Sequence, residues 1–333
     1  MAWVTWRQHR FALSGVAVLL GGLALYLWLA GSTMHGAYAT AVACHPASSF
    51  ACQNQVINFD SAYGTTARTV ATLLLAVPML IGAFVGAPVL ARELETGTFR
   101  YAWTLGVGRR RWTVAKLVPL AVAVAIAAGL FSLLFSWYYQ PLFADGNSIP
   151  LDPSLFSLRW IAYAAWTLAA FAIGALAGLL IRRVVPAIAA TLAACTGLMF
   201  ATGLYLRQHY MTPLIGRNLN TSPASAWIIS GWWTRGGTVI SRSAMNRVLT
   251  TMFQQTLPPM LPRNVKSDDI KFYKGPAESQ VRNYLLHHGY TQWTGYQPGS
   301  RFWPFQSIEG GWLLALSVLL IAATVWLVRR RAA

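Results

Sequence analysis

Residues 91–116 read ARELETGTFRYAWTLGVGRRRWTVAK, and this polar segment separates two uncharged apolar runs at residues 70–90 and 117–137. It carries six arginine or lysine residues, several of them close to the ends of these runs. Basic residues near membrane-crossing helices favour the cytoplasmic side of a bilayer. The segment therefore predicts a cytoplasmic loop between two membrane spans, and it sets the orientation of the whole chain.

The composition is that of a membrane protein. Hydrophobic residues make up 56% of the chain and charged residues 11%, whereas soluble domains carry about 25% charged residues. The net charge of +17 does not make nucleic acid a partner, because the basic residues flank apolar runs or are scattered through one long loop. A nucleic-acid-binding domain would concentrate them on one folded face.

Six uncharged stretches are each long enough to cross a hydrocarbon core about 30 Å thick, which takes about 20 helical residues. We expect each to be a helix, because lipid offers no hydrogen-bond partner to an open backbone. The predicted spans are residues 11–30, 70–90, 117–137, 160–181, 184–206 and 310–328. The predicted fold class is an all-α polytopic membrane protein, with residues 1–333 as one transmembrane domain.

The basic residues also predict the topology. Four basic segments fall on one side of a six-span chain, namely residues 7–10, 91–116, 182–183 and 329–331. We expect that side to be cytoplasmic, with both termini inside. The other side receives the loops 31–69, 138–159 and 207–309. Because long loops translocate largely regardless of charge, residues 207–309 are predicted to form a large extracellular cap between spans five and six.

Two extramembrane segments allow more than one interpretation. Residues 1–10 place Trp3, Trp6, Arg7 and Arg10 on one side of a helix, which suits an interfacial helix, although a plain positively charged flank fits equally well. The 207–309 loop is rich in aromatic residues. Such a loop fits a lid over an exit path, or ordinary packing within a compact cap.

The cysteines and histidines give one structural prediction. Cys44 and Cys52, in CHPASSFAC, lie in the first external loop, where an oxidising environment allows a disulfide to persist. We predict that they are bonded, with two free thiols as the alternative. Cys195 lies inside span five and is expected to be a small buried residue. No metal site is predicted, because the adjacent His287 and His288 have no Cys or acidic partner at ligand spacing.

The six predicted spans contain no Asp, Glu, Lys, Arg or His. Carriers driven by protons or ions usually need such residues inside the membrane, so a secondary transporter is disfavoured. Intramembrane hydrolysis is disfavoured for the same reason, since no span supplies a base or a ligand cluster. Gly82-x-x-x-Gly86 and Gly174-x-x-x-Gly178 instead indicate close helix packing, either within the chain or between two copies.

The 91–116 segment is the best functional candidate. Glu93 and Glu95 follow span two, Gly97 is predicted to end the helix, and Thr98 can cap a new one. Phe99 and Trp103, four residues apart, would share a face of this short helix. A helix with an aromatic knob and flanking charges can dock into a groove on a soluble partner. The alternative is an ordinary solvated loop.

These residues also carry a resemblance. The segment resembles the loop of ABC-2 type (type V) permeases, the membrane subunits of ABC exporters. In that family an acidic residue, a Gly-Thr pair, a basic turn and a lysine entering the next span recur. In this chain they are Glu93 and Glu95, Gly97 and Thr98, Arg109 with Arg110 and Arg111, and Lys116. The ending YQPGSRFWPFQSIEGGW, the start MAWVTWRQHR and the paired loop cysteines are similar to an actinobacterial branch of the family.

The resemblance implies a division of labour between two kinds of subunit. In such permeases the short helix after span two is a coupling helix that fits a cleft in a separate ATP-binding subunit, so the residues just named would form the ATPase-coupling site. ATP and Mg²⁺ belong to that partner, because this chain has no G-x-x-x-x-G-K-[ST] phosphate loop and is not an enzyme by itself. The resemblance further implies two ATPase copies beneath a permease homodimer.

The expected function is export of a lipophilic or amphipathic compound, such as a drug, antibiotic, peptide or lipid, across the bacterial plasma membrane. Two other classes remain open. A non-transporting sensor or immunity subunit could use the same scaffold to recognise an antibiotic. A membrane-bound enzyme acting on lipid would need the acidic and histidine side chains of the 207–309 loop, which are Asp268, Asp269, Glu278, His287 and His288.

Overall fold

The structure is a computed structural model that describes residues 2–46, 49–97, 108–146, 148–217, 225–256 and 283–331. The chain divides into two compact units, the first formed by Met1–Tyr210 with Ser300–Ala333 and the second by Met211–Gly299. Within the described residues, six helical stretches are long and apolar enough to cross a membrane. They are Val18–Val42, Ala51–Thr96, Arg109–Ala144, Trp160–Ile181, Val184–His209 and Gly299–Arg330. The predicted number of spans is confirmed.

The first unit is entirely helical in its described part. The second span is interrupted by a π-helical turn at Gly82–Gly86, and the fifth ends in a π-helical turn at Thr202–Leu206 and a 3₁₀ turn at Arg207–His209. The labelled helices of both units are α1 (Ala2–Val42), α2 (Phe50–Leu74), α3 (Ala76–Ile81), α4 (Ala87–Thr96), α5 (Arg109–Ala144), α6 (Pro153–Phe156), α7 (Trp160–Ile181), α8 (Val184–Ala201), α9 (Arg242–Thr256, in the second unit) and α10 (Phe302–Arg331).

Helices α1 and α2 differ from the prediction. The predicted external loop 31–69 is largely helical, and residues 1–10, predicted as a separate interfacial helix, are continuous with the first span from Ala2 onward. At about 1.5 Å per residue, α1 is about 60 Å long, twice the thickness of a hydrocarbon core. Packing between α1 and α2 stabilises the parts of these helices that lie beyond the predicted spans. Phe59 of α2 is buried, with its ring centroid 5.4 Å from that of Tyr38 of α1.

The connection between α1 and α2 is short and covalently closed. Cys44 and Cys52 form a disulfide with their Cα atoms 5.5 Å apart. Ser49 caps α2, because its hydroxyl accepts a hydrogen bond from the backbone N–H of Cys52 at 3.3 Å. The disulfide therefore links the end of α1 covalently to the first turn of α2. The Ser49 cap stabilises only the start of α2 and does not join it to α1.

Helix α7 has the most helix neighbours in the first unit, packing against α3, α4, α5, α8 and α10. Its buried surface is built from small side chains, and its alanines are fully enclosed at Ala162, Ala165, Ala169, Ala172 and Ala175. Small residues let helix backbones approach closely, which replaces the hydrophobic driving force that lipid cannot supply. The helix has 22 residues, so it is about 33 Å long and matches the hydrocarbon thickness.

The two glycine motifs pack against one another within the chain. A Cβ atom added to Gly82 would lie 2.5 Å from the carbonyl oxygen of Ala170, and one added to Gly86 would lie 2.6 Å from that of Phe171. In return, Gly174 faces the carbonyl of Gly82, and Gly178 faces that of Ala87. Of the two interpretations left open by the sequence, the structure shows packing within one chain.

The second unit departs from the all-helical prediction. It holds an antiparallel sheet of order β1-β4-β2-β3, with β1 at Leu214–Arg217, β2 at Trp227–Arg235, β3 at Thr238–Ile240 and β4 at Tyr290–Gln297. Strands β2 and β3 join through Gly236 and Gly237, whose φ angles of 57° and 86° fit a two-residue hairpin turn. Met245 of α9 forms a small core with Leu285 and Tyr290.

The limits of the predicted 207–309 cap also need correction. Arg207–His209 continues the fifth span, and α10 begins at Phe302 rather than at residue 310. The unit that separates from the helical bundle is therefore Met211–Gly299. Hydropathy ends a predicted span at the first charged residue, whereas these helices continue because the charges have buried partners, described below.

Candidate functional site

Of the candidate coupling residues, those that the structure describes lie near the end of α4 and in the first turns of α5. Gly97 ends α4 with a φ of 73°, the left-handed conformation that glycine adopts at little cost. The prediction that Gly97 stops this helix is in accord with that geometry. Ala87, Leu90 and Ala91 of α4 are buried, so Glu93 and Glu95 are held on a helix that is anchored in the bundle.

Glu93 pairs with Lys116 in α5. The ammonium Nζ of Lys116 donates to Glu93 Oε1, and the two side chains are only 9% and 12% exposed, respectively. The same ammonium lies 4.6 Å from the ring centroid of the buried Trp112. Breaking an ion pair that is shielded from water is costly, because the remaining charge is left without its partner, whereas a pair on an open surface contributes only about 0–1 kcal/mol. The pair therefore ties the end of α4 to the first turns of α5.

Glu95 reaches a different helix. Its Oε2 accepts a hydrogen bond from the backbone N–H of Val184, the first residue of α8, at 2.9 Å. Arg183, the N-cap residue of α8, makes no capping hydrogen bond with its own side chain. A carboxylate is favourable at the positive end of a helix dipole, so Glu95 serves as a cap supplied from another helix.

The turn between α7 and α8 is shaped to receive this carboxylate. Arg182 ends α7 with a φ of 59°, an uncommon conformation for a residue other than glycine. Its backbone N–H bonds to the carbonyl of Gly178 at 3.1 Å. Arg182 and Arg183 both expose their side chains. This tight turn presents the backbone N–H of Val184 to Glu95.

The remaining predicted coupling residues divide into two groups. Arg109, Arg110 and Arg111 form the first turn of α5, with Arg110 and Arg111 exposed. Thr98, Phe99 and Trp103 lie outside the described residues, so the short helix predicted for them stays a prediction. The structure thus pairs Glu93 with Lys116, directs Glu95 to α8, and places the three arginines in the first turn of α5, the helix that carries Lys116.

Sequence reasoning missed a second polar site, in which Glu309 of α10 is fully buried. Arg207, 2% exposed, donates from Nε to Glu309 Oε2 at 2.9 Å and from Nη2 to Oε1 at 2.7 Å. Trp166 Nε1 donates to Oε1 at 2.8 Å, and the Tyr210 hydroxyl donates to Oε2 at 3.2 Å. Four donor atoms from two stretches of chain, Arg207 with Tyr210 and Trp166, converge on one carboxylate.

The arginine of this site is equally well satisfied. Its Nη1 donates to the carbonyl of Pro153 at 2.8 Å, its Nη2 donates to the Ser157 hydroxyl at 2.7 Å, and the guanidinium lies 4.6 Å from the Phe156 ring centroid. Burial, and after it the neighbouring Glu309 carboxylate, raises the pKa of Tyr210, so this hydroxyl keeps its proton and remains a donor.

The buried pair corrects one sequence inference. The predicted spans contained no ionisable residue, but the helical stretches of the structure include Arg207 and Glu309 near their ends. Opposite charges directly beside spans five and six were the available signal. Every described donor and acceptor at this site has a partner within the protein, which fits a structural role.

Six described helical stretches that are long and apolar enough to cross a membrane indicate a multi-pass membrane protein. The family described as ABC-2 membrane transporter related matches residues 16–207, more than half of the chain, and the chain belongs to that family. Membership indicates a permease component of an ABC transporter and implies an ABC ATPase as its partner. No curated protein and no solved structure matches the chain.

Proposed function

We propose that this protein is the permease subunit of an ATP-driven exporter in the bacterial plasma membrane. It works as a homodimer above two copies of a separate ATPase, which binds ATP and Mg²⁺. Its cargo is lipophilic or amphipathic, because the helices that would line a path between two copies are apolar on their exposed surfaces, as at Val185, Phe200 and Leu204 of the fifth span.

One observation carries the proposal: α4 holds two other spans through adjacent carboxylates. Glu93 pairs with Lys116 of the third span, and Glu95 caps the fifth at Val184. A displacement of the chain that follows Gly97 would pull on both spans together. This is what a transmission element requires, since a conformational change needs contacts that differ between its two states.

In the proposed cycle, ATP closes the two ATPase subunits, and the residues after Gly97 move with them. Thr98, Phe99 and Trp103 form the surface that docks into the ATPase, with Arg109, Arg110 and Arg111 flanking it. The movement passes through α4 to α5 and α8, and the bundle changes from inward to outward access.

The Glu93→Lys variant tests this proposal. It places a second ammonium beside Lys116 in a site nearly closed to water, so the link between α4 and α5 is lost. We expect permease-stimulated ATP hydrolysis by the co-purified complex to fall to the level of the ATPase alone, while membrane insertion stays normal. Adding Lys116→Glu restores opposite charges and should recover part of the stimulation.

Arg92→Gln is the matched control, because Arg92 is an exposed charged residue on the same helix. It should leave stimulated hydrolysis unchanged. Phe99→Asp should instead reduce capture of the ATPase by tagged permease. Normal stimulation in Glu93→Lys, together with normal capture in Phe99→Asp, would reduce the 91–116 segment to a membrane anchor. Cargo movement by the complex in vesicles then separates an exporter from a non-transporting sensor.

A further inference from the structure

A partly buried arginine stands at the N-terminal end of α7, far from the coupling residues. Arg159 immediately precedes the membrane-spanning stretch Trp160–Ile181. Its guanidinium carbon lies 4.2 Å from the ring centroid of Phe143, at the end of α5, and 4.8 Å from that of Phe302, at the start of α10. Three helix ends therefore meet around one cation.

The guanidinium has no polar partner among the described residues. Its Nε is buried without a hydrogen bond, and no described carboxylate lies within ion-pair distance. The side chain as a whole is only partly buried. An arginine has five N–H donors and cannot accept, so an anion is the ligand that would satisfy it. Arg207, in contrast, has its charge met by Glu309.

Arg159 stays charged in this setting. Burial lowers its pKa to about 10, which still leaves the guanidinium protonated at neutral pH. The two aromatic rings contribute a cation–π attraction, which replaces only part of the hydration that a cation loses when it leaves water. The protein thus holds a cation whose charge its described residues compensate only in part.

The neighbouring aromatic pair places this cation at the level of lipid headgroups. Trp160 and Trp303 contact each other with ring centroids 5.3 Å apart, yet they are 36% and 51% exposed. Tryptophan concentrates at the boundary between hydrocarbon and water. Trp160 also has a φ of 53°, a costly conformation for this residue, so the backbone is held in strain where the pair forms.

We propose that Arg159 binds the phosphate group of a membrane phospholipid, with its terminal nitrogens donating to the phosphate oxygens. The Trp160–Trp303 pair contacts the glycerol region and upper acyl chains of the same lipid. Arginine forms charge-assisted, often bidentate, hydrogen bonds with phosphate. The site lies at the end of α7 opposite to the exposed Arg182 and Arg183, so it belongs to the other leaflet.

The test is phospholipid binding by the full-length protein purified in detergent, measured by native mass spectrometry. The probes are phosphatidylglycerol, a neutral diacylglycerol glycolipid and inorganic phosphate. We expect the phospholipid to bind, with Arg159→Gln weakening its binding about tenfold, the loss typical of a charge-assisted hydrogen bond. Arg159→Lys keeps the charge without the planar fork and should fall between the two.

Arg330→Gln is the matched control. Arg330 also lies over an aromatic ring, 4.4 Å from the centroid of Trp326, but it is exposed and at the opposite end of α10. Its replacement should leave the Arg159-dependent binding unchanged. A thermal unfolding measurement on each variant separates lost binding from lost folding, and Trp303→Leu, an exposed change, should weaken phospholipid binding without changing stability.

Three results would overturn the proposal. Unchanged phospholipid binding in a folded Arg159→Gln protein would remove the residue from the site. Equal binding of the neutral glycolipid would show that the phosphate is not recognised. Competition by inorganic phosphate at the same concentration as the phospholipid would assign the site to a soluble anion. None of these measurements involves the ATPase, so the outcome is independent of the coupling proposal.

Discussion

Replacement of Glu309 by alanine is expected to lower the stability of the protein by about 3–5 kcal/mol, because it leaves the Arg207 guanidinium buried without its counter-charge. Arg207 would keep only Ser157 and the Pro153 carbonyl as polar partners. Trp166 and Tyr210 would each lose an acceptor as well. The measurement is the unfolding temperature of the detergent-purified protein, together with the fraction that stays monodisperse after heating.

The double variant Arg207→Met with Glu309→Met gives the internal control. Removing both charges leaves no unpaired ion, so the double variant should be more stable than Glu309→Ala alone despite carrying two changes. Ser307→Ala, an exposed position on the same helix, should have little effect. A double variant less stable than the single one would show that the unpaired Arg207 charge is not what destabilises Glu309→Ala, contrary to this account.

Gly174→Ala is expected to destabilise the bundle by about 1–3 kcal/mol, the usual consequence of forcing a methyl group into a filled interface. The new Cβ atom would overlap the backbone at Gly82 and Ala87, and a backbone cannot move aside as a flexible side chain can. Helix α7 would have to separate from the π-helical turn of the second span. Unfolding temperature and yield of folded protein report the change.

The same substitution at Gly129 should not destabilise the protein. Gly129 lies inside α5 with nothing within 4 Å of an added Cβ atom, and alanine favours a helix over glycine by about 0.8–1 kcal/mol. Gly129→Ala is therefore expected to be neutral or slightly stabilising. Since helix propensity favours alanine, equal losses at both positions would mean that the added methyl group acts through lipid packing rather than through contact between α7 and the second span.

The number of spans could be predicted because each leaves a long uncharged run in the sequence. The ends of the helices could not. A hydropathy pattern stops at Arg207 and at Glu309, and it cannot know that each of these charges is the other's partner across 102 residues of chain. Likewise the extensions of α1 and α2 depend on contacts such as Tyr38 with Phe59, which no local period records.

The candidate site, like the fold, was predictable in part. Glu93, Glu95 and Lys116 were selected because of their chain positions and a family resemblance, and the structure pairs Glu93 with Lys116 and directs Glu95 to α8. The role of Glu95 was not predictable, because its carboxylate accepts a hydrogen bond from the backbone N–H of Val184. Almost any residue at position 184 would offer the same N–H, so the sequence carries no signal for this contact. The sheet of the second unit was missed because the pattern of WIISGWWTR, residues 227–235, has no regular alternation of apolar and polar residues.

The length of α7 limits how the bundle can rearrange. Its 22 residues match the bilayer, with Trp160 at one boundary and Arg182 at the other. Shifting such a helix along the membrane normal would drag an aromatic ring into hydrocarbon at one end and a guanidinium at the other. Piston motion is therefore resisted, whereas rotation about α7 moves neither end out of its layer. In such a rotation α7 would be the fixed axis, and the surrounding spans would move about it.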